Sequence, residues 1–156
     1  MAAERAAVVA AQGSDRFVLD RVNERLDIVG SMAAVTAMSL RHPKARLKYI
    51  EDAANGPALM QMLRGKLAGL IAVSPLGSKE ARVSASSPQI ESGNVWLPHP
   101  AQNPLSRTLV EQFTAFPNAR NDDLVDVLTQ ALIKLEFWHL QAEQPLDRRR
   151  QRTYST

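Results

Sequence analysis

Cysteine is absent from the 156 residues. Disulfides and thiolate metal sites are therefore excluded, and any bound metal must be held by carboxylates or histidine. Carboxylate oxygens suit magnesium or manganese. Long apolar runs are also absent: the longest, around Leu67 to Val73, falls far short of the about 20 residues a membrane span requires. No Gly-x-x-x-x-Gly-Lys-Ser/Thr loop occurs, so the chain carries no P-loop motor. Glu4 and Arg5 interrupt an alanine-rich start with no apolar h-region, which does not read as a cleavable signal. These absences predict a cytoplasmic protein with no membrane partner.

What is present fits one folded domain. Hydrophobic residues make up 45% and charged residues 22%, close to the balance of soluble globular chains, and the length leaves no room for a second catalytic domain. The net charge of +3 suits a polyanionic partner. Part of that excess sits in Arg148, Arg149, Arg150 and Arg152. A basic end of this kind is read first as a solvated, disordered tail over 141–156, with DNA contact as the alternative. The folded domain is expected over 1–140.

Two short apolar segments, Arg5 to Ala11 and Arg16 to Arg21, flank Gln12, Gly13, Ser14 and Asp15 and predict a hairpin. Val29 to Leu40 has helical spacing and is stopped by His42 and Pro43. Ala45 to Ile50 reads as a buried strand and Pro57 to Lys66 as a helix opened by Asn55, Gly56 and Pro57. Leu70 to Val73 reads as another short strand. Strand and helix alternating in this way is the pattern of α/β domains. Lys79 to Ser86 can be a short helix, Gly93 to Leu97 a short strand and Arg107 to Phe116 an amphipathic helix ending at Pro117. A last helix begins at Asn121.

Two acidic clusters stand out by position. Glu51 and Asp52 end a predicted strand, where open α/β sheets place their ligands. Asp122, Asp123 and Asp126 occupy the first turns of the last helix. At 100° per residue, with Val125, Leu128, Leu132 and Leu135 toward the core, Asp122 and Asp126 share a flank and Asp123 points more nearly away. Carboxylates brought together from distant segments are what two-metal phosphodiester cleavage requires. Each cluster also has a simpler explanation. Acids in a first turn complement the helix dipole, with Asn121 or Asp122 as the cap, and strand-end acids are commonly solvated loop charges.

Four segments carry a resemblance. Tyr49-Ile-Glu-Asp-Ala-Ala-Asn-Gly-Pro-Ala-Leu-Met-Gln-Met-Leu63 places an acid at a strand end and Asn-Gly at the next helix start. Phe116-Pro-Asn-Ala-Arg-Asn-Asp-Asp-Leu-Val-Asp-Val-Leu128 has a Phe-Pro turn, paired aspartates and a third acid three residues on. Between them lie Gly77-Ser-Lys-Glu-Ala-Arg82 and Ile90-Glu-Ser-Gly-Asn-Val-Trp-Leu-Pro98. In this order they resemble the C-terminal RNase H-like nuclease domain of the phage terminase large subunit, over about Arg16 to Leu135. The resemblance implies an α/β fold with an RNase H-like (RuvC-like) mixed sheet flanked by helices. It further implies a Mg2+- or Mn2+-dependent endonuclease that cuts concatemeric double-stranded DNA during genome packaging. Its partners in the full system are an ATPase domain, a small subunit and a portal, in a bacterial host cell.

Carried over position by position, the resemblance makes Glu51 a metal-binding acid and has Asp122 or Asp123 supply another, with Asp126 close by. Lys79 and Arg82 would approach DNA phosphates, although each is equally explained as a surface charge. Asp52 is a weaker candidate. His99 and His139 match no role and read as structural. One departure stands out: the family's domain opens with a central strand bearing its first catalytic aspartate, and this sequence enters directly at the hairpin. Neither Glu4 nor Asp20 replaces that acid. The chain then reads as a fragment of a packaging protein or a truncated prophage gene. The alternatives are an inert prophage remnant with weak DNA binding, and a stand-alone resolvase, which would need a complete acid set. Three expectations follow for the fold. Glu51 should lie near Asp122 and Asp123. The hairpin and the Ala45 to Ile50 strand should present facing unpaired edges. Those edges should either pair directly, recruit a strand from another copy, or leave the domain marginally stable with the N-terminal hairpin its most mobile ordered part.

Overall fold

A computed structural model describes residues 2–118 and 122–142, with side chains at 6–118 and 122–137. His139 as a side chain and the basic tail from 143 lie outside the described residues. Strands β1 (Ala2–Gln12) and β2 (Asp15–Leu26) form an antiparallel hairpin. Gly13 has φ 57 at the first of the two turn residues, the pattern of a II′ hairpin turn, which suits glycine because it has no Cβ. Both strands extend beyond the predicted segments. The added residues, Val22 to Leu26 among them, mix polar and apolar types and gain their strand conformation from the cross-strand ladder.

The ladder slips once. Val8 faces Asp20 but Val9 faces Val18, so Leu19 is the extra residue of a β-bulge and is exposed. The slip changes which positions face inward. Arg16, Val18 and Arg21 are all buried on one side, where Arg16 donates to Glu136 at 3.2 Å and Arg21 donates to the Ser106 hydroxyl at 2.9 Å. Burial lowers the Arg21 pKa, against the opposing pull of Asp20.

Asp20 points to the other side and ties β2 to helix α1 (Ile28–Arg41). It accepts from Arg41 Nη2 at 2.8 Å and lies 2.9 Å from His42 Nε2. Burial raises the Asp20 pKa, but hydrogen bonds from Arg41, His42 and the Arg21 amide outweigh it and hold the carboxyl below its ordinary value. The Asp27 carboxylate caps α1 by accepting from the Gly30 amide at 2.7 Å, and the helix ends at His42 before Pro43.

Strands β3 (Lys48–Glu51) and β4 (Leu70–Val73) pair in parallel, with helix α2 (Gly56–Leu63) crossing between them. Helix α3 (Lys79–Glu91) begins at a Ser78 cap and continues through Pro88, longer than the predicted segment. The short β5 (Val95–Trp96) joins β2 in parallel, and Trp96 stacks on Phe17 with ring centroids 6.3 Å apart. Helices α4 (Leu105–Ala115) and α5 (Asp123–Ala142) complete the chain. Val18, Leu109, Leu124, Leu128 and Leu132 form the main core between the hairpin, α4 and α5.

The strands make two sheets, β1-β2-β5 and β3-β4, with no strand joining them among the described residues. Direct pairing of the hairpin with β3, one of the expected outcomes, does not occur. A cleft of about 360 Å³ lies between the sheets, lined by Ala6 and Val22 of the hairpin, Met38 of α1, Ile50 of β3 and Val127 of α5. No helix among the described residues is long and apolar enough to cross a membrane.

Candidate active site

Glu51 closes β3, and the Asp52 amide continues the ladder by donating to the Val73 carbonyl at 2.7 Å. The chain then turns sharply into α2. Gly56 packs so tightly against the strand end that a Cβ there would stand 1.8 Å from the Glu51 carbonyl oxygen. The Asn-Gly at the helix start thus has a steric cause: only glycine lets α2 sit directly on the backbone that carries Glu51.

Helix α5 brings its first turns to the same place. Asp123, Val127 and Gln130 follow one another at helical spacing and line the cleft together with Asp126 and Glu51. The Gln130 amide Nε2 donates to Glu51 Oε2 at 3.2 Å, across 79 positions of sequence, and lies 3.4 Å from Asp126 Oδ1. Glu51 and Asp126 are therefore tied through one side chain. Of the expected meeting of Glu51 with Asp122 and Asp123, the cleft lining brings Glu51 and Asp123 together and leaves Asp122 out. Asp123, expected from the helical wheel to point more nearly away, lines the cleft with the β3 end, while Asp122 and Asp126 meet α3.

On that opposite flank the basic residues are taken up by the acids. Lys79 Nζ donates to Asp122 Oδ1 at 2.7 Å, and Arg82 donates through Nε to Asp126 Oδ1 at 3.0 Å and through Nη2 to the same oxygen. Arg82 is 6% exposed and also donates to the Gly77 carbonyl at 2.9 Å. As placed, Lys79 and Arg82 join α3 to the head of α5 and neutralise Asp122 and Asp126. Asp52 is exposed and outside the cleft lining. His99 Nδ1 accepts from the Ala101 amide at 3.2 Å in a surface loop, away from the acids.

Sequence reasoning missed Gln130. Its signal was available: it lies four residues after Asp126 and so on the same flank of a helix. The facing pairs were legible too, since Lys79 and Arg82 three apart on one helix match Asp122 and Asp126 four apart on another.

A hairpin, a parallel β-α-β unit with helices packed around it, and acids at a strand end and at the head of the last helix together describe an RNase H-like α/β domain. The family model of the terminase RNaseH-like domain matches residues 5–135, well over half of the chain. The protein belongs to the terminase RNaseH-like domain family. The matched span runs from the hairpin into α5 and contains Glu51, Lys79, Arg82, Asp122, Asp123 and Asp126. No curated protein shows a significant match to the chain.

The donors of this terminase domain are carboxylate oxygens, the right chemistry for a hard divalent cation. Among the described residues, however, no three or more acidic or histidine side chains are placed to hold one. The Gln130 amide stands between Glu51 and Asp126, and Asp122 and Asp126 are held by cations. As arranged, these residues do not by themselves fit a metal.

Proposed function

We propose that this chain is the nuclease domain of a DNA-packaging terminase, with concatemeric double-stranded DNA as substrate and Glu51, Asp123 and Asp126 as its own share of a Mg2+ or Mn2+ site. Asp122 is the remaining acid of the set. The observation that carries the reading is the meeting of Glu51 with Asp123 and Asp126 on one cleft. The described side chains do not close a cation site, so cleavage requires at least one further oxygen donor. The ATPase domain, small subunit and portal are its partners in packaging.

The test is nicking of supercoiled plasmid by the purified chain in manganese or magnesium, beside Glu51→Gln. Nicking that vanishes in the variant supports the nuclease reading. Nicking that survives in Glu51→Gln removes the site assignment. A second reading, an inert domain that keeps the fold, is favoured by the ion pairs that occupy Asp122 and Asp126. Absence of nicking at every metal concentration supports that reading.

A further inference from the structure

Glu51 is exposed and long, and a carboxylate so placed sweeps many rotamers unless something holds it. The Gln130 Nε2 amide donates to Glu51 Oε2 at 3.2 Å, and among the described residues no other hydrogen bond reaches that carboxylate. The same nitrogen lies 3.4 Å from Asp126 Oδ1. Both neighbours are carboxylates, which only accept, so the amide has to turn its NH2 end toward them. Each of its two hydrogens then serves one acid.

The far end of this run of contacts is buried. Arg82 of α3 donates through Nε to Asp126 Oδ1 at 3.0 Å and through Nη2 to the same oxygen, and its Nη1 donates to the Gly77 carbonyl at 2.9 Å. With every nitrogen of its guanidinium engaged and the side chain buried, Arg82 fixes Asp126 from the α3 side. Order passes from there through Asp126 and Gln130 to the exposed Glu51, across α3, α5 and β3.

We propose that Gln130 is a positioning residue for Glu51, holding its carboxylate against α5 in one orientation. The residue type follows from the two acids that it joins. Glutamate at 130 would have the same reach but no donor, and it would repel both acids; asparagine would fall one methylene short. Lysine would donate, but as a point charge on a flexible stem it fixes no plane. A neutral amide bridges two like charges without cancelling them. A carboxylate held in this way meets a bound substrate in one geometry on every encounter, and orientation of that kind lowers the barrier of the step it serves. The inference rests on the nuclease reading for the use made of Glu51, whereas the hold itself can be measured in a chain that cuts nothing.

The test compares the full chain with Gln130→Met, which keeps the length and packing of the side chain and removes both donors. Three-bond NMR couplings along the Glu51 side chain report its rotamers. The expected result is a single rotamer in the parent and averaged couplings in Gln130→Met, with the melting temperature unchanged. In plasmid nicking the variant is expected to lose at least tenfold in kcat with KM for DNA unchanged, because a positioning residue acts within the bound complex. Averaged couplings already present in the parent, or a single rotamer in both proteins, would overturn the proposal. So would nicking at equal rates, or a variant whose only change is a lower melting temperature. Arg82→Lys keeps the charge but not the fork, and it is expected to shift the Gln130 side-chain amide resonances; unchanged resonances would overturn the part given to Arg82. A parent that does not nick removes the nuclease reading instead, and the couplings alone then decide whether Gln130 holds Glu51.

Discussion

At the scale of single residues, the acids that share a neighbourhood do different work. Glu51 is exposed and held by one amide, while Asp126 faces a buried guanidinium. Removing one partner of a buried ion pair strands the other charge at a cost of roughly 3 to 5 kcal/mol, whereas exposed substitutions stay within about 0.5 kcal/mol. Asp126→Ala is therefore expected to lower unfolding free energy by about 3 kcal/mol in urea, and Glu51→Gln to leave it nearly unchanged. Loss of nicking in Glu51→Gln then reports on chemistry, and in Asp126→Ala on folding as well.

Asp20 supplies a residue-scale pH dependence. Its folded pKa is depressed, so its contribution is fully present above the unfolded value of about 3.9 and is lost as pH falls through the lower folded value. Asp20→Asn should cost on the order of 1 kcal/mol at neutral pH and flatten the stability profile below about pH 4. Denaturant midpoints measured from pH 7 to pH 2.5 check this, and parallel profiles for the two proteins would contradict the assignment.

At the scale of elements, the joint between β3 and α2 is the least forgiving. Gly56→Ala places a methyl group 1.8 Å from the Glu51 carbonyl, and backbone on both sides has to move. Overpacking of this sort costs about 1 to 3 kcal/mol or more. Its expected signature is a fall in melting temperature with chemical-shift changes centred on Glu51 to Gly56, while Gly13→Ala, with open space around its Cβ, leaves that region untouched.

Elements with a strong local signal were legible in the sequence. Strand β4 runs from Leu70 to Val73 as its apolar run predicts, and α1 stops at His42 before Pro43. The discrepancies arise where tertiary partners override local pattern. The segment before β3 looks like strand from Ala45, yet the Ala45 amide donates to the His42 carbonyl and strand geometry begins only at Lys48, where β4 is available to pair. Helix α3 passes Pro88, where a sequence rule would end it, because packing against α5 carries it on. In the site, the positions of the acids could be read from spacing. What they touch could not, since Lys79 and Arg82 read as surface charges until α3 and α5 face each other.

At the scale of the whole molecule, two small sheets are held together by helices rather than by a common ladder. Protection against exchange should reflect this: amides of Val125 to Leu135, in the helix that supplies most of the main core, should exchange more slowly than those of β1, whose outer edge has no strand beside it among the described residues. Equal strong protection of β1 in a dilute monomer would show that the edge is covered and that the sheet is continuous.

The bulge at Leu19 makes the hairpin sensitive to counting rather than to chemistry. Leu19 itself is exposed, and Leu19→Ser should be tolerated with a change of at most about 0.5 kcal/mol. Inserting one further residue beside it is another matter. Every side chain from Asp20 onward would exchange faces relative to the turn, sending the Arg21 guanidinium toward α1 and the Asp20 carboxylate against Ser106. A one-codon insertion at this exposed position is therefore expected to leave little soluble protein, whereas deletion of Leu19, which keeps Asp20 opposite Val8 and Arg21 on the Val18 face, is expected to be tolerated, and recovery from the soluble fraction beside Leu19→Ser would measure both. The reading frame of the pleat matters more here than the residue that sets it.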